Sequence, residues 1–216
     1  MTLIEFLKAG GIVMIPLIFC SLLALAIIIE KLLNLRPAKI IDSKKFETIV
    51  TLIEGGMVDK AKEVCRKNPE IMGNMIGAVL ENRHLERDEI KGILADVGRQ
   101  EVSKLEKHLG ILGTVAGVSP LLGLLGTVAG MIRVFKIIAV TGVGEAGALS
   151  GGISEALITT ATGLSIAIPT LVMYNLFNDR AEKIILELEN YSLKVMQIVK
   201  KKEEEKRLLP ADKAME

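Results

Sequence analysis

The sequence predicts an all-α membrane protein with three transmembrane helices, and three observations predict it. First, three stretches run without a charged residue for about the 20 residues a bilayer crossing needs: Ala9 to Ile29, Leu109 to Ile132 and Ala156 to Asn178. Second, the 216-residue chain is half hydrophobic yet a quarter charged. That mixture fits neither a soluble domain nor a bare membrane bundle, and it requires charge and apolar residues to be segregated along the chain. Third, helical periodicity continues out of the second and third spans into charged sequence, which extends both into a cytoplasmic helical bundle.

The organisation follows in order: an outer stub and first transmembrane helix over 1–35, a cytoplasmic helical segment over 36–108, a second transmembrane helix over 109–138, an outer loop over 139–152, a third transmembrane helix over 153–178, and a cytoplasmic helix and tail over 179–216. The first span is too long for the apolar region of a signal peptide, and no small-residue cleavage site follows it, so it reads as a retained anchor. With Pro16, Cys20 and Ser21 among Ile, Leu and Ala, it suits a lipid-facing helix. Orientation comes from Lys and Arg. Residues 31–107 hold 15 of the 27 and the tail from Arg180 holds nine, whereas the N-terminal stub has only Lys8 and the 139–152 segment none. The positive-inside rule puts the N-terminus outside and the C-terminus in the cytoplasm. Arg133 and Lys136 oppose it mildly and can snorkel from a helix end.

In the cytoplasmic segment, Lys44 to Glu54 and Met57 to Arg66 read as two short helices parted by Gly55-Gly56, the second stopped by Asn68-Pro69. From an N-cap at Asp88, the spacing of Ile90, Leu94, Val97, Leu105 and Leu109 predicts one unbroken helix to Ile137, a rod of roughly 75 Å. Beyond the third span, Ile184, Leu188, Val195 and Val199 keep a helical stripe. The Lys/Glu run at 200–207 reads as a solvated helix end.

The second and third spans carry the informative residues. Gly113, Ala116, Gly117, Pro120, Gly123, Gly126, Thr127 and Gly130 recur at steps of three and four and are expected on one helical face. Gly152, Ala156, Thr160, Gly163 and Ala167 do likewise on the third span, with Pro169 following. Such faces let membrane helices pack backbone to backbone. Three helices in one chain have little use for two such faces, whereas a ring of identical subunits does, so a homo-oligomer is expected.

Thr127, Thr159, Thr160, Thr162 and Ser165 lie at membrane depth. Each hydroxyl can satisfy itself on its own helix, yet as a group they can line a hydrated path. Glu155 is either a helix-start carboxylate favoured by the dipole or a structural or ion-path carboxylate facing the bundle. No span holds a carboxylate at its middle, so a titrating acid would have to come from a partner.

Other chemistries find no support. Cys20 and Cys65 lack any metal or redox spacing, and His84 and His108 stand apart. No cofactor or metal is expected. A net charge of +1 argues against nucleic acid. The Gly-rich stretches lie inside apolar helices rather than after a strand, and no nucleophile–base set is present, so an enzyme is not expected.

The run Ser119-Pro120-Leu121-Leu122-Gly123-Leu124-Leu125-Gly126-Thr127-Val128-Ala129-Gly130, followed by Glu155-Ala156-Leu157, Thr160, Gly163-Leu164, Ala167-Ile168-Pro169 and Tyr174-Asn175, resembles the signatures on the second and third spans of the MotA/TolQ/ExbB proton channel family, in its ExbB/TolQ-like branch. The resemblance covers about residues 88–180. It implies a homopentamer around a dimer of single-span ExbD/TolR-like partners, in a bacterial inner membrane. The partner's membrane Asp carries the ion, and a TonB/TolA-like protein takes the work to the outer membrane. It also implies that Thr127 and Thr160 match the pore-facing threonines and Glu155 the acid that begins the third span. Relatives of the MotA type usually have four spans, which disfavours a motility stator. Many proton-driven relatives have Ala-Thr where this chain has Thr159-Thr160, and paired threonines accompany sodium use among the motor relatives, so a Na⁺ path at Thr159 and Thr160 is the alternative to a proton path. A structural membrane scaffold without ion flux is the remaining alternative.

Overall fold

The computed structural model describes residues 10–36, 40–67, 70–142 and 146–212. Among them are seven helices: α1 (Met14–Asn34), α2 (Ser43–Glu54), α3 (Val58–Lys67), α4 (Ile71–Glu81), α5 (Arg87–Glu106), α6 (Leu109–Thr141) and α7 (Ala146–Asp212). Three are long and apolar enough to cross a membrane, over Met14–Asn34, Leu109–Val140 and Leu149–Glu205. The described residues fall into two compact units, one drawn from Met1–Leu32 and His108–Asn178, the other from Leu33–Lys107 and Asp179–Glu216.

In the first unit α1 begins later than the apolar run suggests. Ala9 lies outside the described residues. Gly11 takes a left-handed φ of 66°, and its carbonyl accepts from the Met14 N–H at 3.2 Å, a turn that only glycine enters without strain. The helix then runs past Glu30-Lys31 to Asn34. The first span is not uniformly lipid-facing. Met14, Leu17, Ala24, Ile27 and Lys31 are buried, while Ile15, Phe19, Leu22, Leu25 and Ile29 are exposed. Val13, Met14 and Leu17 pack against Leu122 and Ile166.

The expected loop over 139–152 is much shorter. Helix α6 continues to Thr141 and α7 begins at Ala146. Gly142, at φ 72°, ends α6 in a backbone conformation open only to glycine, its N–H still donating to the Ile138 carbonyl at 2.9 Å. Gly152, inside the expected loop, is a helical packing residue instead. A Cβ on Gly152 would come within 2.5 Å of Val134 Cγ2.

The unbroken rod expected from Asp88 to Ile137 is also corrected. Helix α5 stops at Glu106 and α6 starts at Leu109. Between them His108, the one non-glycine with positive φ among the described residues, sits at φ 70°, a conformation that costs a side chain about 1–3 kcal/mol. Hydrophobic spacing persists across this break, which hides it from periodicity. Asp88 is not the cap. Helix α5 begins one residue earlier at Arg87, and the Glu86 N–H donates to Glu89 Oε2 at 3.0 Å. Asp88 instead pairs with Lys91 at 2.8 Å, and the ammonium holds its carboxyl below the usual range.

In the second unit α2 and α3 lie within a residue of two expected helices, α4 was not expected, and the Asn68-Pro69 stop lies outside the described residues. Asp42 caps α2, its Oδ1 accepting from the N–H groups of Lys44 and Lys45 at 3.1 and 3.2 Å. Gly55 and Gly56 turn the chain into α3, Gly56 at φ 74°. Ile49, Ile53, Ala61, Cys65, Met75, Ile76 and Leu80 form the core with Ile90 and Leu94, and Ala181, Ile184, Leu188, Val195 and Val199 of α7 are buried on the expected stripe. Burial pushes the Cys65 thiol up to about 11, so it behaves as a small apolar side chain. Phe46 and Tyr191 pack ring against ring at 4.4 Å. Lys200 Nζ donates to the carbonyls of Arg83 and Leu85 at 2.6 Å each, satisfying the turn that follows α4.

Asp42→Ala is expected to cost about 0.5–2 kcal/mol, read as a loss of α2 protection in hydrogen exchange. Gly163→Val would drive a Cβ to within 2.6 Å of the Ser119 carbonyl and 3.1 Å of Gly123 Cα, so it is expected to destabilise the subunit by about 1–3 kcal/mol or more. Gly117→Ala, which meets nothing within 4 Å, leaves the subunit's unfolding in detergent unchanged or slightly raised.

Candidate functional site

The seam between α6 and α7 is built by residues that withhold side chains. A Cβ on Gly123 would lie 3.0 Å from Thr160 Cα and 3.1 Å from the Thr159 carbonyl. One on Gly130 would lie 2.8 Å from the Gly152 carbonyl and 2.9 Å from Ala156 Cβ. One on Gly126 would overlap the Thr159 side chain. Ala156 is buried along the same contact, and Ala116 and Ala167 are buried on the same two helices.

The small face expected on the second span therefore divides in two. Gly123, Gly126 and Gly130 are buried against α7. Gly113 sits at the edge, where a Cβ would lie 3.2 Å from the Tyr174 ring. Gly117 is exposed, while Pro120 and Thr127 are half-buried. On the helical wheel, at 100° per residue, Gly117, Pro120 and Thr127 lie on the flank of the buried stripe. On α7, Gly163 is buried and Pro169 exposed.

The hydroxyls divide as well. Thr114, Ser119, Thr162 and Thr170 each donate to the carbonyl four residues back on their own helix, the local satisfaction open to any helical threonine or serine. Thr127 donates to the Leu124 carbonyl at 2.6 Å. Thr159 is fully buried, and its hydroxyl is shared between the Glu155 and Ala156 carbonyls at 3.1 and 2.9 Å. Thr160 is different. It is half-buried, and its Oγ1 donates across the seam to the Gly123 carbonyl at 3.0 Å. Gly123 permits this by letting the two backbones meet.

Glu155 is mostly buried, with its side chain 13% exposed, and it pairs with Arg133 of α6. Gly11 lies against the same carboxylate: a Cβ there would overlap Glu155 Oε1. The carboxylate thus ties the turn before α1 and two helices at one end of the unit. Sequence reading left Arg133 as a snorkelling cation; the opposite charges at adjoining ends of two spans were the signal for the pair.

A second pair was not legible. His108, expected to stand apart, has Nδ1 at 3.1 and 3.0 Å from the two Glu30 carboxylate oxygens. The partners are 78 residues apart in the chain, and only the packing of α1 beside the start of α6 unites them. Among the described residues no group of three His, Cys, Asp or Glu side chains gathers to hold a metal.

This geometry has a family context. Residues 67–190 match the model of the MotA/TolQ/ExbB proton channel family. The ExbB-like 3 biopolymer transport protein of Synechocystis is 34% identical over 183 residues, 78% of this chain and 81% of that protein. The ExbB-like 1 protein of the same organism is 33% identical over 174 residues, 79% of this chain and 68% of the relative. The Tol-Pal system protein TolQ of Pseudomonas aeruginosa is 38% identical over 86 residues, 40% of this chain and 37% of TolQ. With the family model covering more than half of its length and the seam glycines inside that match, the chain belongs to the MotA/TolQ/ExbB proton channel family.

Proposed function

We propose that this chain is the pore-wall subunit of an ion-driven motor in a bacterial inner membrane. In this reading five copies form a ring around a dimer of ExbD/TolR-like single-span partners, and the assembly serves biopolymer transport or envelope integrity through a TonB/TolA-like protein. The observation that carries the reading is the α6–α7 seam. It joins two helices at backbone distance, it sends one threonine hydroxyl across to the Gly123 carbonyl, and Thr127 lies half-buried beside it. The spans supply hydroxyls but no mid-membrane carboxylate, so the group that takes and releases the ion belongs to the partner. A transport subunit of this kind needs no catalytic residue of its own.

The exposed flank of α6 supports an assembly. Gly117 leaves open space where a side chain would stand, and Leu121, Leu124 and Val128 beside it are exposed. The charged helices lie on the cytoplasmic side, with the N-terminus outside, because Lys and Arg concentrate in 31–107 and in the tail. Glu155 acts as a structural carboxylate held by Arg133, at the entrance to the path.

The ion is the proton. The sodium reading needs several oxygen ligands converging on one cation, and Thr159, half of the threonine pair, is fully buried and sealed against Gly126. Thr160 and Thr127, both half-buried, are the hydroxyls proposed for the path. The scaffold reading draws on the number of hydroxyls that bond only to their own helix.

The test is Thr160→Val. It removes one cross-helix hydrogen bond, worth about 0.6 kcal/mol in membrane proteins, too little to dissolve the assembly. The expected result is a ring that still co-purifies with its partner and conducts protons at least tenfold less. Wild-type flux in Thr160→Val would remove Thr160 from the path. The composition of the complex is checked by native mass spectrometry, expected to give five copies of this chain with two of a single-span protein bearing a membrane Asp. A monomer, or a ring with no such partner, would leave the scaffold reading standing. Flux that persists with protons held fixed and follows a sodium gradient would replace the proton.

A further inference from the structure

Arg133 and Lys136 of α6 are both exposed and, three residues apart, are neighbours on the helix surface. They stand at the end of the first unit where, in the proposed orientation, positive charge is disfavoured. Neither lies in the last turn of α6, the stretch where a helix terminus attracts cations. Dipole attraction therefore does not account for them.

The helix sets their depth. The apolar run of α6 begins at Leu109, straight after Lys107 and His108. At 1.5 Å per residue, Arg133 follows about 36 Å along and Lys136 about 40 Å along. A hydrocarbon core of about 30 Å ends before either, and the headgroup layer beyond it takes in Arg133. Arg133 is not free to move through that layer. Glu155, whose side chain is only 13% exposed, holds its guanidinium, while the Arg133 side chain itself stays 57% exposed. A snorkelling arginine swings its head towards water; this one is anchored at phosphate level with part of its fork open. That fork has five N–H donors, and its planar spread matches two oxygens of a phosphate. Lys136 adds a compact charge one turn further out, and among the described residues it has no ion-pair partner.

Charge selects the kind of lipid. Glu155 cancels Arg133, and it is the one acid in the described stretches 10–29, 109–141 and 146–178. Lys136 leaves a single net positive charge. A zwitterionic headgroup would bring its own ammonium against that charge, whereas a headgroup charged only at its phosphate would not.

We infer that Arg133 and Lys136 bind the phosphate of an anionic phospholipid such as phosphatidylglycerol, with Glu155 positioning the guanidinium. The choice of the outer leaflet rests on the orientation proposed above; the ligand chemistry does not.

The experiment is native mass spectrometry of the full chain, delipidated in detergent and titrated with phosphatidylglycerol or phosphatidylethanolamine of the same acyl chains, with inorganic phosphate as competitor. Lys136→Gln leaves the Arg133–Glu155 pair intact. Arg133→Lys keeps the charge of the pair and loses the fork. Arg180→Gln removes an exposed cation beyond the other end of the α7 span and serves as control. The expected result is saturable binding that favours phosphatidylglycerol by about fivefold or more, the weight of one cation beside an anionic lipid. A loss of about the same size is expected in Lys136→Gln and in Arg133→Lys, with none in Arg180→Gln. Equal affinity for the two lipids, undiminished binding in Lys136→Gln, or an equal loss in Arg180→Gln overturns the inference. Displacement of the lipid by inorganic phosphate identifies a free-anion site and overturns it as well.

Discussion

Two helices approach this closely only where one of them withholds a Cβ, and α6 and α7 meet that condition at Gly123, Gly126, Gly130, Gly152 and Gly163. Lipid tails are as apolar as leucine, so apolar burial supplies little drive for helix association inside a membrane, and close van der Waals fit has to take its place. Everything else in the first unit follows from that fit. The Thr160 hydroxyl reaches a carbonyl on another helix because Gly123 has no side chain in the way. Arg133 and Glu155 meet because α6 and α7 are locked in register. The cluster of Val13, Met14 and Leu17 has a fixed pair of surfaces, at Leu122 and Ile166, to pack on.

The second unit solves a different problem with different chemistry. It has an ordinary core of Ile, Leu and Met, together with polar groups placed where helices end. Asp42 answers the first free N–H groups of α2, and Lys200 answers two carbonyls after α4. A lysine side chain here does what a terminal glycine does elsewhere. The ammonium carries the additional strength of a charged donor.

Much of this was legible in the linear sequence, for identifiable reasons. Charge-free length marks a span whatever packs against it. Gly55-Gly56 marks a turn because Gly56 needs positive φ. The limits are as physical. The small residues of α6 were visible as a face, but which of them meet α7 and which stay open depends on the helix's rotation by a few tens of degrees. Gly117 and Gly123 look alike in a string of letters. The break at His108 left no trace because hydrophobic spacing runs through it. The loop expected over 139–152 shortens because α6 and α7 extend into it, and there Gly152 is a packing residue. Pairs such as Glu30 with His108 belong to tertiary structure alone.

That last pair bears on how the chain is made. Glu30 lies in the last turns of the first apolar helix, and its partner follows 78 residues later. At translation speeds of about 5–20 residues per second, the carboxylate waits on the order of 4–16 s before His108 exists. Through that interval the ribosome has produced all of α2 to α5, none of which supplies the missing contact. The end of the first helix must therefore remain hydrated at the membrane surface while the soluble-type helices fold behind it. Insertion of α6 is then the event that brings His108 to the waiting acid.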